Sequence, residues 1–169
     1  MAKLILLKLI TLGTKFKPDY SSNFPAKLLN TDLNWSDLIL NPIVMDEVKN
    51  INTWIKFKND ILSNKVLEKN IGRGYKCLFY GPPGTGKTLT ASLIGKYNSV
   101  DVYRVDLSQV VSKYVGETEK NLSRIFDIAE NKDWILFFDE AEALFSKELV
   151  WVILKTDLQI SKLHIYYRE

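Results

Sequence analysis

Eight consecutive residues, Gly81-Pro82-Pro83-Gly84-Thr85-Gly86-Lys87-Thr88, restrict this chain more than any other part of it. They fit the pattern G-x-x-x-x-G-K-[ST] in full. The preceding Cys77-Leu78-Phe79-Tyr80 reads as a short buried strand, and Leu89 to Tyr97 reads as a helix. A glycine-rich turn between a strand and a helix can curl until successive N–H groups point at one phosphate. Gly84 and Gly86 give the freedom that curl needs, and a helix starting near Lys87 adds the positive end of its dipole. Lys87 can then reach β- and γ-phosphates, and the Thr88 hydroxyl can ligate Mg²⁺. Pro83, Gly84, Thr85, Gly86, Lys87, Thr88 and Leu89 are therefore the candidate nucleotide-binding residues. A plain glycine turn with a chance Lys-Thr is the competing reading, and the strand and helix on either side count against it.

A second feature is Phe137-Phe138-Asp139-Glu140, where the apolar run Ile135–Phe138 ends in two carboxylates. Such a pair could merely cap the next helix. With a phosphate loop upstream, a division of labour fits better. Asp139 holds the metal, through its water, and Glu140 polarises an attacking water as general base. Lys87 stabilises charge on the phosphates. A small-molecule kinase built on the same loop would need no Glu after Asp139.

The rest of the chain supplies the frame. Its 169 residues suit one domain. Hydrophobic residues at 46% and charged ones at 25% describe a globular chain and exclude disorder. A net charge of +3 is too weak a bias to argue for nucleic acid. The single Cys77 cannot form an internal disulfide, which points to a reducing, cytoplasmic setting. The single His164 argues against a histidine-built metal site.

The run Leu4 to Ile10, interrupted by Lys8, falls short of a membrane span, so no membrane partner is expected. It reads as a strand or helix edge, or as upstream leftover. Residues 13–25 have the composition of a linker, and Thr31 to Leu67 reads as mostly helical. Asn41-Pro42 opens a helix there, with Val44, Val48, Ile51, Ile55 and Phe57 near helical spacing. Asn70 to Gly74 reads as a turn. A strand at Val102–Val105 and a helix with Leu122, Ile125, Phe126 and Ala129 on one face complete the alternation. Strands alternating with helices predict an α/β fold with a parallel sheet.

On these residues the chain resembles the AAA ATPases, a bacterial group in particular. Gly81–Thr88 is similar to that family's Walker A, and Asp139-Glu140-Ala141-Glu142-Ala143 to its Walker B. Between them, Ser112-Lys113-Tyr114-Val115-Gly116-Glu117 resembles the first pore loop. The resemblance implies that Tyr114, flanked by Lys113, Val115 and Gly116, grips a polypeptide substrate in a homo- or hetero-hexamer. It also implies an adenine-contacting segment at Trp35-Ser36-Asp37-Leu38, with Asp37 and Leu38 beside the base. ATP and Mg²⁺ are the implied cofactors, and ATP hydrolysis coupled to protein remodelling is the implied activity. A subunit that binds ATP without turnover, or a fragment of a disrupted gene, is the alternative.

The resemblance spans residues 24 to 147, after an N-terminal segment 1–23, and residues 148–169 look unlike the family. Read in the neighbouring frame, allowed codons for that tail yield a stretch resembling the family's continuation, so a frameshift product is expected there. The fold class is then a three-layer P-loop NTPase sheet that is incomplete. Strands 4 and 5, the sensor, the arginine finger and the helical lid would be missing, and turnover would be slow. The family's sheet order is 5-1-4-3-2. A missing strand 4 would leave unpaired backbone between Cys77–Tyr80 and Ile135–Phe138. The β-forming Leu149 to Leu154 is the segment expected to fill that slot, if any does.

Overall fold

Five apolar residues in a row, Trp134-Ile135-Leu136-Phe137-Phe138, form strand β5 (Trp134–Phe138), and all five are buried. A strand apolar on both faces needs a layer on each side of its sheet. The structure, a computed structural model, provides them. It describes residues 3–10, 24–64, 75–110, 117–129, 132–139 and 164–166, without the side chains of 3–10, 109, 119 and 164–166.

The other strands are β1 (Lys3–Ile10), β2 (Ala26–Leu29), β3 (Lys76–Gly81), β4 (Asp101–Val105) and β6 (His164–Tyr166). Their order in the single described sheet is β2-β4-β5-β1-β3-β6. The α/β class agrees with the sequence, but the sheet is mixed. β4 and β5 are parallel, as are β3 and β6, whereas β2 runs antiparallel to β4 and β1 antiparallel to both β3 and β5.

The slot between β3 and β5 is therefore occupied, contrary to the expectation of unpaired backbone. Its occupant is β1, with Leu6 opposite Leu78 on one side and Phe138 on the other. The tail does not fill it. Residues 149–154 lie outside the described residues, and β6 from the tail pairs with the opposite edge of β3. Alternating backbone groups on both sides of β1 give β3 and β5 the partners that a central strand position demands.

The described helices are α1 (Pro42–Ser63), α2 (Lys87–Asn98), the short α3 (Leu107–Val110) and α4 (Glu117–Ala129). α1 starts as its sequence dictates. Pro42 needs no N–H partner at the first position, and the Asn41 side chain accepts from Ile43 N at 2.9 Å. Val44, Val48, Ile51 and Ile55 form its buried stripe. Phe57 does not join them: two residues past Ile55 is the wrong side of a helix, and it is exposed. Nor is the segment from Thr31 to Asn41 helical, apart from one 3₁₀ turn at Trp35–Asp37.

Two apolar layers result. One joins α1 and α2 to Cys77, Phe79, Val102, Ile135 and Phe137. The other joins α4 to Tyr103, Val105, Trp134, Leu136 and Phe138, with Phe24 packed edge-on to Tyr103. Successive residues of β4 and β5 thus serve opposite layers, the period-two rule of a doubly covered strand. Among the described residues no helix is long and apolar enough to cross a membrane.

Candidate nucleotide site

β3 runs directly into the glycine-rich loop. Buried Phe79 anchors the strand, and the chain turns at Gly81 through Gly86 before α2 begins at Lys87. Gly84 and Gly86 both have φ of +84°, a left-handed conformation that side chains resist. A Cβ on Gly84 would meet nothing within 4 Å, so the loop faces open space there. The loop is braced by the Thr85 hydroxyl, which donates to the Pro82 carbonyl at 2.9 Å. Thr88 is the second residue of α2, half-buried, at the positive end of the helix dipole.

Lys87 is buried and folded back on the loop. Its Nζ donates to the Gly81 carbonyl at 2.9 Å, to the Pro82 carbonyl, and to Thr85 Oγ1 at 3.3 Å. A buried ammonium requires such acceptors. The curl, the helix start and a lysine held within the loop fit a phosphate group, which would bring the acceptors that the loop's own carbonyls now provide.

Asp139 stands directly after β5. Only 11% of its side chain is exposed, and its Oδ2 accepts from Arg104 at 2.7 Å. Arg104 comes from β4 and is half exposed. The register explains the meeting. Arg104 lies opposite Phe137, and alternation carries Phe137 and Asp139 to the same face of the sheet, the one that α2 covers. Glu140 lies outside the described residues, as do Lys113, Tyr114, Val115 and Gly116.

Leu38 and Asp37 have different situations. Leu38 leans on the loop: a Cβ on Gly86 would come within 2.6 Å of Leu38 Cδ1. The Asp37 carboxylate instead closes its own turn, accepting from Asn34 N at 2.7 Å. Pro83 is exposed, and Leu89 is half-buried in the first turn of α2. Among the described residues no group of three or more His, Cys, Asp or Glu could hold a metal ion. A cation here would need oxygens from the nucleotide in addition to Thr88 and Asp139.

Arg104 was not singled out by motif reasoning. A signal did exist, a cation inside the apolar run Val102-Tyr103-Arg104-Val105. Only the strand pairing shows which acid it serves.

Comparison with known proteins agrees with this geometry. The family described as "ATPase family associated with various cellular activities (AAA)" matches at residues 77–157. Peroxisomal ATPase PEX6 of Pichia angusta is 34% identical over 117 residues, 69% of this chain and 10% of that protein. PEX6 of Saccharomyces cerevisiae is 44% identical over 71 residues, 41% of this chain and 7% of that protein. The AAA family ATPase y4kL of Sinorhizobium fredii is 44% identical over 69 residues, 41% of this chain and 21% of that protein. The chain thus spans between about a tenth and a fifth of the length of these relatives, or less. With a glycine-curled loop at the β3–α2 junction and Asp139 ending β5, these matches identify the chain as carrying part of an AAA-family ATPase domain.

Proposed function

We propose that this chain binds ATP together with Mg²⁺ and that the bound nucleotide is its substrate for hydrolysis. The observation that carries the reading is the loop between β3 and α2, left-handed at Gly84 and Gly86 and closed over Lys87. In this reading Lys87 exchanges the loop carbonyls for phosphate oxygens. Backbone N–H groups of Gly84 to Thr88 donate to the same phosphates, and the Leu38 side chain beside Gly86 borders the base. Thr88 and Asp139 hold the metal, which supplies charge neutralisation at the phosphates when bound. Glu140, one residue past Asp139, takes the proton from the attacking water. Assembly into a hexamer with other AAA subunits, with Tyr114 gripping a polypeptide, belongs to the same proposal and rests on family resemblance, while a cytoplasmic setting rests on the single Cys77.

The test is a titration of a fluorescent ATP analogue. Lys87→Ala should weaken binding by at least tenfold, since a charge-assisted contact worth about 1.5–3 kcal/mol is lost. Equal affinities of the two proteins would refute the site. Hydrolysis is read separately: Glu140→Gln should abolish turnover while leaving nucleotide affinity within about threefold, because a general base acts mainly in the transition state.

A further inference from the structure

The ion pair between Arg104 and Asp139 joins an acid that is nearly buried to a guanidinium that is half exposed. Asp139 is the carboxylate assigned to the metal, so a protein cation already neutralises it. We propose that Arg104 is a positioning residue that competes with the divalent cation for Asp139 and thereby sets the Mg²⁺ concentration at which nucleotide is held. The proposal rests on the nucleotide-site reading above and adds a residue that reading does not use.

Three features of the structure support it. Arg104 contacts Oδ2 at 2.7 Å, so the carboxylate is held in one orientation. The guanidinium comes from the neighbouring parallel strand in a register that brings Arg104 and Asp139 to the face that α2 covers. Its half-exposed side chain has solvent to move into, whereas Asp139, at 11% exposure, has little water to replace the partner. When a divalent cation approaches the carboxylate, the two positive charges repel. Either the guanidinium withdraws or the cation binds less tightly, and both outcomes raise the Mg²⁺ requirement. Removing the positive charge ends that competition and makes Asp139 more attractive to the cation.

The test uses the full chain and a fluorescent ATP analogue held at fixed concentration while Mg²⁺ is titrated. Arg104→Gln should move the Mg²⁺ midpoint about three- to tenfold lower, a modest shift because the pair is partly solvated. Arg104→Lys keeps the charge and loses the planar fork, so its midpoint should fall between wild type and Arg104→Gln. In an Asp139→Asn background, Arg104→Gln should produce no further shift, since the two residues act on one another. Circular dichroism melts establish that each variant is folded, the expected result at Arg104 because its side chain is half exposed. An unchanged or raised midpoint in Arg104→Gln, or an equal shift in the Asp139→Asn background, overturns the proposal while leaving the nucleotide site standing. If the wild-type chain binds no nucleotide at any Mg²⁺ concentration, the reading of the site itself fails, and this proposal with it.

Discussion

Gly84 and Gly86 share a backbone angle but not a neighbourhood. Both sit at φ +84°, where an L side chain costs about 1–2 kcal/mol. An alanine at 84 would add only that strain, because nothing lies within 4 Å of its Cβ. An alanine at 86 would also press on Leu38 Cδ1 at 2.6 Å, and Leu38 would have to shift. Urea unfolding should therefore show Gly86→Ala losing more stability than Gly84→Ala. Adding Leu38→Ala should bring the cost of Gly86→Ala down to that of Gly84→Ala. If the Leu38→Ala background leaves the difference intact, the contact between loop and segment is not what separates the two glycines. The motif showed both glycines in the sequence. Which of them touches another element needed the fold, because Leu38 and Gly86 are brought together by tertiary packing.

At the scale of elements, β3, β4 and β5 are readable as short apolar runs, α2 from the glycine-rich loop ahead of it and α4 from its own helical stripe. An apolar run, a loop motif or a helical stripe survives in an isolated stretch of chain. β1 and β2 were not readable as strands with partners. Lys8 interrupts the apolar run of β1, and a strand's neighbours and direction are set by pairing with residues far away in the chain. β2 spans only Ala26–Leu29, directly after Pro25, where composition speaks for a loop. The candidate site divides the same way: the loop and Asp139 were legible, Arg104 was not.

The register of β1 can be checked by cross-linking. Leu7 pairs with Cys77, the chain's single cysteine, and Leu6 pairs with Leu78. Directly opposed Cα atoms of an antiparallel pair lie about 4.5–5.5 Å apart, within the range a disulfide spans. Burial pushes the Cys77 thiol well above the usual thiol range, so in the folded wild type it should resist alkylation. Refolded from urea under an oxidising glutathione couple, Leu7→Cys should give an intramolecular bond to Cys77, seen as faster migration on a non-reducing gel, and Leu6→Cys should give little. Equal yields from both variants, or bonds only between chains, would refute the observed pairing of β1.

For the whole molecule the question is what keeps two helical layers on one mixed sheet. Apolar contact does most of it, since β4 and β5 feed both layers in alternation. One polar tie is added where α1 crosses the start of β5. Lys58, at the place where a helical stripe continues from Val44 through Ile55, is buried and bonded to Asp133. Asp133 directly precedes β5 and is about half exposed. The two partners therefore stand to lose different amounts. Asp133→Ala strands a buried ammonium, whereas Lys58→Met removes the charge, keeps the packed stem and leaves a carboxylate that water can solvate. Urea unfolding should show Asp133→Ala costing about 1–3 kcal/mol and Lys58→Met costing less than about 1 kcal/mol. The double variant should match Lys58→Met alone, because the cost of Asp133→Ala exists only while the ammonium is there. Nucleotide affinity should be unchanged in all three, since Asp133 stands at the end of β5 opposite to Asp139. Should Lys58→Met prove the more damaging change, the ammonium would be stabilising the layer rather than depending on its carboxylate, and the assignment of cost to the stranded charge would be wrong.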